Sequence, residues 1–127
     1  MISAMVSETT DAGRSWSPLT PLVAPRINNQ VAVQALDTEG LLIVYNDIIP
    51  GMRAAGQLMM ALSSDGGASW RVIQAIDPDS ARYPWLMTGP DNHYHLLYTR
   101  FLGAGSELVH IRFSRDWLAA HGGPPCA

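Results

Sequence analysis

The chain has 127 residues, with 8 basic and 11 acidic side chains and a formal net charge of −3. That length fits one domain of ordinary size. Hydrophobic residues at 47% exclude intrinsic disorder, and the absence of a basic excess excludes nucleic acid as the expected partner.

The N-terminal segment MISAMVSETTDAGRSW has no charged leader region and no apolar stretch of signal-peptide type, so no signal peptide is expected. The default expectation is a cytoplasmic chain, although a secreted parent lacking its leader would read the same. The longest apolar run, LLIVY at 41–45, is far short of the ~20 residues of a membrane helix, so no membrane partner is expected. The single cysteine, Cys126, cannot form an intrachain disulfide and has no basic neighbour to activate it.

In chain order, short apolar segments alternate with turn residues. VAVQAL (31–36), LLIVYND (41–47), LMMALSS (58–64), RVIQAI (71–76), YPWLM (83–87), HYHLLYTR (93–100) and LVHIRFS (108–114) read as strands. DTEG (37–40), SDGG (64–67), GPDN (89–92) and GAGS (103–106) supply turn chemistry between them. RDWLAAH, at 115–121, is the one helical candidate and allows one or two turns. The pattern is all-β.

An internal repeat narrows the architecture. Asp11, Gly13 and Trp16 recur as Asp65, Gly67 and Trp70 at an offset of 54, with Ser15 matched by Ser69. Composition predicts roughly 0.02 chance matches to this spacing, so two are not noise. Val44-Tyr45-Asn46-Asp47 is echoed by Leu97-Tyr98-Thr99-Arg100 at an offset of 53. A period of this length holding four short strands is the signature of a β-propeller blade. The repeated box explains itself without a ligand. Asp accepts hydrogen bonds from the following backbone N–H groups. Gly takes a turn position suited to positive φ. Trp covers the turn and packs between neighbouring sheets.

Ser63-x-Asp65-x-Gly67-x-x-Trp70 is a full Asp-box, and Thr9-x-Asp11-x-Gly13-x-x-Trp16 differs only by Thr for Ser. With the order of the intervening segments, residues 7–118 resemble the C-terminal part of bacterial sialidase-like BNR repeat proteins. That resemblance implies a six-bladed propeller and, for the enzymes among its members, exo-α-sialidase (neuraminidase) glycoside hydrolysis without a cofactor. At 54 residues per repeat the chain amounts to about 2.4 blades, against more than about 300 residues for such a ring. The expected fold class is therefore a partial β-propeller of about two and a half four-stranded blades. Residues 1–24 would form outer strands of one blade, 30–76 a complete blade, 83–114 an incomplete last blade and 119–127 a tail. Met1 would then be an internal residue or a late start codon.

On the face opposite the Asp-box turns, the sequence gathers Asn28, Asn29, Gln30, Asn46, Asp47, Arg53, Arg82, Tyr83 and Arg100. The resemblance implies a tyrosine nucleophile, and Tyr83 in RYPWLM matches its position; an inner-strand aromatic at the axis is the structural alternative. Pro84 departs from the small residue that follows the tyrosine in proven enzymes. Arg53, Asn46, Asp47, Arg82 and Arg100 are the candidate substrate-binding residues. Guanidinium forms always-charged bidentate contacts with a sugar carboxylate. Arg53 lies 10 residues before Ser63, whereas the family arginine commonly lies about 7 or 8 before. His110 matches a histidine common near the end of these proteins, and a structural role is the reading for it. His93 and His95 alternate along one strand with no third ligand nearby, so no metal is expected. The acid/base Asp, the Glu partner of the tyrosine and at least one Arg would lie upstream of residue 1.

The functional expectation is a fragment of a sialidase-like hydrolase that acts on or recognises acidic glycans and is inactive by itself. The alternatives are a non-catalytic carbohydrate-binding or scaffold propeller and a self-associating chain that pairs its open blade edges.

Overall fold

The computed structural model describes residues 4–22, 30–36, 40–46, 57–77, 81–90 and 92–121. Within them, antiparallel strands dominate and one short helix closes the described chain. The fold is all-β, with the stacked small sheets of a partial β-propeller.

Strands β1 (Met5–Val6) and β2 (Thr20–Pro21) form a two-stranded sheet. Strands β3 (Ala32–Ala35), β4 (Leu41–Asn46), β5 (Leu58–Ser63) and β6 (Arg71–Asp77) form a four-stranded sheet in sequence order. Strands β7 (Ala81–Thr88), β8 (His93–Leu102) and β9 (Gly105–Ser114) form a three-stranded sheet, also in sequence order. The GAGS turn is tighter than its sequence suggests. Leu102 pairs with Gly105, so only Gly103 and Ala104 connect β8 to β9. Asp37–Glu39 of the DTEG turn and Asp91 of the GPDN turn lie outside the described residues.

The four-stranded sheet is the middle layer, and its sequence says why. Leu42 and Val44 of β4 face β7–β9, where they join Leu58, Met60, Tyr94, Leu96, Tyr98 and Phe113 in the main core. Ile43 and Tyr45 face the other way and pack with Ala61 against Ala4, Leu22, Met59 and Trp70. A strand buried on both faces must be apolar at every position, which is why LLIVY does not alternate. Each fully buried side chain of this kind contributes about 1.5–3 kcal/mol.

Strand β8 alternates because it has one buried face. Tyr94, Leu96 and Tyr98 are buried against the middle sheet. The opposite face carries His95, Leu97 and Thr99, with Trp85 and Met87 beside them on β7 and Leu108 and His110 on β9. Trp85, Met87, Phe101 and Leu108 on this sheet are large and exposed. By the 53-residue repeat, His95 and Leu97 stand where Leu42 and Val44 stand in the middle sheet. There the same face is fully buried beneath a neighbouring sheet.

Helix α1 (Arg115–His121) follows β9 directly. The Ser114 hydroxyl accepts from the Trp117 N–H at 3.0 Å, capping the first turn, where Asp116 also complements the helix dipole. Leu118 seals the lower end of the core, and the Trp117 ring packs on Phe113 at 5.6 Å.

Candidate functional site

The middle sheet sorts the loops between two ends. Ser63 pairs with Leu41, so the second Asp-box lies at the end where β4 begins. Asn46 closes β4 at the other end, where β6 finishes and β7 starts. Asn46 is buried, and its Nδ2 donates to the Ala81 carbonyl at 2.6 Å, tying the end of the middle sheet to the first residue of β7. Ala81 in turn pairs with Arg100. Asn46, Arg82, Tyr83 and Arg100 therefore gather at one end. Asp47, Arg53, Asn28 and Asn29 lie outside the described residues, and Gln30 is exposed.

Tyr83 has φ of +59°, a left-handed conformation that an aromatic L-residue rarely adopts. The cause is a β-bulge. Arg82 pairs with Thr99 and Trp85 with Leu97, so Tyr83 and Pro84 together oppose Tyr98 alone. Pro84 has no N–H to give to the ladder, which suits it to a bulge. It also disfavours helical backbone in the residue before it, so Tyr83 is constrained from both sides. Such a conformation costs of order 1–3 kcal/mol and is found where the surroundings enforce it. The Tyr83 ring is 48% exposed and meets Phe101 edge-on at 5.9 Å.

Arg82 lies beside it. Its guanidinium carbon is 5.8 Å from the Phe101 ring centroid, a cation–π contact. Its Nε is buried and has no hydrogen-bond partner among the described residues. A buried unsatisfied donor on a charged group is costly, and here it lies one residue from the strained tyrosine.

Arg100, expected to bind substrate, is engaged by the chain itself. One guanidinium nitrogen is 2.7 Å from Asp77 Oδ2 and another is 2.7 Å from Glu107 Oε1, while Nε donates to Asp77 at 2.9 Å. The hydrogen bonds it donates to Glu107 and then to Asp77 raise its pKa further above its ordinary value. The Tyr98 hydroxyl donates to Asp77 at 2.9 Å. Burial first, and then Asp77, push that phenol up to about 12. Asp77 is 2% exposed, so this network closes a buried carboxylate between the middle and outer sheets. Sequence reasoning missed Asp77, Glu107 and Phe101. Their roles depend on strand register and sheet stacking, which leave no local signature.

The two Asp-boxes are built alike. Thr9 Oγ1 donates to Asp11 at 2.8 Å and accepts from Gly13 N at 2.9 Å; Ser63 Oγ does the same with Asp65 and Gly67 at the same distances. Asp11 and Asp65 each accept from the backbone N–H four residues on at 2.9 Å, and from the hydroxyls of Ser15 and Ser69. These hydroxyls first, with the backbone donors after them, hold both carboxyls down at about 2. Gly13 and Gly67 have φ of +87° and +97°. The boxes differ in their tryptophans. Trp70 packs on the Ile43–Tyr45 cluster, whereas Trp16 is 61% exposed, contrary to the expectation of an indole packed between sheets.

The sequence model of the BNR repeat-like domain family matches residues 3–96. A sialidase from Micromonospora viridifaciens is 29% identical over 122 residues, which cover 89% of this chain and 18% of that protein. The chain thus spans about a fifth of the length of this relative.

Proposed function

The chain belongs to the BNR repeat-like domain family, with a fold of the sialidase superfamily, and we propose that it is a segment of a glycoside-hydrolase propeller that acts on or recognises acidic glycans. Tyr83 is the nucleophile position in this reading. In the same reading Arg82 and Arg53 meet the sugar carboxylate, and Asn46, Asp47 and Arg100 are the further substrate-binding candidates. The observation that carries the reading is Tyr83 itself: an exposed aromatic held at positive φ beside an arginine whose buried Nε has no partner among the described residues. Strain of this kind concentrates where a side chain must be presented to a ligand. The exposed apolar face of β7–β9 supports the idea of a larger ring, because its repeat equivalents Leu42 and Val44 are buried under a neighbouring sheet.

The isolated chain has no glycosidase activity in this reading. Hydrolysis depends on an acid/base and an activated nucleophile acting as a unit, and losing one member removes most of the rate. The test is release of fluorophore from a fluorogenic sialoside by this chain and by Tyr83→Phe. Equal, background-level signals are expected. Turnover that disappears in Tyr83→Phe would overturn the inactivity.

A non-catalytic carbohydrate-binding propeller is the second reading. It is favoured by Arg100, whose charge is already met by Asp77 and Glu107. Binding to a sialoglycan array without turnover, lost in Arg82→Ala, would support it over the first.

A further inference from the structure

The last rung of the middle sheet carries two polar side chains into the interface with β7–β9. Asn46 pairs with Leu58 and Leu58 with Asp77, so the three stand side by side across β4, β5 and β6. All three are buried. Side chains directly opposite one another share a face of the sheet, and Leu58 belongs to the core shared with β7–β9. Across the interface stands the rung of Ala81, Arg100 and Glu107. Each polar group of the first rung holds a different strand of the second. Asn46 Nδ2 donates to the Ala81 carbonyl of β7 at 2.6 Å. Asp77 Oδ2 accepts from Nε and Nη2 of Arg100, on β8, at 2.9 and 2.7 Å.

Asp77 also reaches two residues back along β8, where its Oδ2 accepts from the Tyr98 hydroxyl at 2.9 Å. Tyr98 is the residue that Tyr83 and Pro84 together oppose at the bulge. The bulge is therefore bracketed by contacts to the middle sheet, through Ala81 on its own strand and Tyr98 on the facing strand. A bulge can be shed when one strand slides past the other by a residue. Two strands pinned to the same rung of a third sheet cannot slide. We propose that Asp77 is a positioning residue for Tyr83: acting through Tyr98, it pins β8 opposite the bulge and so holds the tyrosine at positive φ. Asp77 is 2% exposed and acts from behind the bulge. The role of Tyr83 rests on the function proposed above; its conformation does not.

The experiment reads the Tyr83 backbone by NMR on the isotope-labelled chain. At positive φ the amide and α protons of one residue lie close together and give a strong intraresidue NOE, and the ring gives a further NOE to Phe101. The variants are Tyr98→Phe, Asp77→Leu and Phe113→Leu, the last loosening the same interface at its other end. The expected result is loss of both NOEs in Tyr98→Phe and Asp77→Leu and their retention in Phe113→Leu. Removing one hydrogen bond to a charged group shifts such a balance about tenfold or more. Tyr98→Phe deletes a single hydroxyl and decides the matter even where Asp77→Leu fails to fold. NOEs that persist in Tyr98→Phe, or that are lost equally in Phe113→Leu, overturn the positioning role. A parallel titration with sialyllactose, followed at the Arg82 and Tyr83 signals, separates this role from the function it serves. Binding should weaken about tenfold in Tyr98→Phe, as the competent conformer falls to about a tenth of the molecules. Absence of binding by the unaltered chain counts against the proposed function, while the NOEs still decide the role of Asp77.

Discussion

The two Asp-boxes hold nearly the same hydrogen bonds in very different surroundings. The second joins β5 to β6, and Trp70 lies on the middle sheet beside Ile43 and Tyr45. The first precedes the short strand β2, and Trp16 stands in solvent, with its indole N–H donating to the Gly13 carbonyl at 3.2 Å. The turn is therefore a local structure that forms without its tryptophan being buried. What the tryptophan stabilises is the stacking of sheets, and that requires a neighbour.

The largest expected difference between the boxes follows from this. Trp70→Ala removes a partly buried indole from a packed cluster and should cost about 2–3 kcal/mol, below the range for a fully buried aromatic. Trp16→Ala should cost less than about 0.5 kcal/mol, as at most exposed positions. Urea midpoints of the two variants measure the contrast. Equal losses would mean that the first tryptophan is covered in solution, and the distinction between a local turn and a packed box would fail.

The glycines should behave in the opposite way and show no contrast. Both hold φ near +90°, so alanine at either position is strained whatever surrounds it. A Cβ on Gly67 would meet Leu41 Cδ1 at 3.5 Å and Trp70 Cζ2 at 3.8 Å, which is ordinary contact. A Cβ on Gly13 would meet Trp16 Cζ2 at 3.8 Å. Gly13→Ala and Gly67→Ala should each cost about 1 kcal/mol, set by backbone strain alone. A markedly larger loss at Gly67 would show that packing around Leu41 has no room to give.

The same division between local and distant contacts decides what the sequence could reveal. The Asp-box bonds span two to four residues, so residue types at fixed spacing predict them. LLIVY was legible as a strand, and the absence of alternation in it already carried the fact that both its faces are covered. The helix over 115–121 was legible as a candidate of one or two turns, while its Ser114 cap came only with the structure. Arg100 was not. Its partners lie 23 residues back in Asp77 and 7 residues on in Glu107, and only sheet stacking and hairpin register bring them together. The contact of His95 was hidden for the same reason: period two pairs it with His93, while the ring it touches is His110 on the next strand. Tyr83 was legible as a residue, but the bulge that exposes it was hinted at only by Pro84.

The last contrast concerns protons and is the smallest. Asp11 and Asp65 both sit at about 2, held there chiefly by Ser15 and Ser69. A carboxyl whose folded value is depressed lends stability that is complete above its unfolded value, about 3.9. It is lost as pH falls through the folded value. Both boxes should therefore loosen together between about pH 4 and pH 2, and exposure to solvent keeps each effect small. Ser15→Ala and Ser69→Ala should each bring their own aspartate back toward 4, read by the ¹³C carboxyl shift of that residue, while leaving the other box unmoved. Tyr98 works in the reverse direction, because burial and Asp77 raise it to about 12. Its contribution is complete below pH 10 and is lost as pH rises through 12. The boxes contribute to the acid limb through contacts within single turns, and Tyr98 at the sheet interface contributes to the alkaline limb. Tyr98→Phe, which removes that phenol and leaves every carboxylate in place, should move only the alkaline limb of the stability profile. If it moved the acid limb as well, the boxes would not be the independent local structures that their matching hydrogen bonds describe.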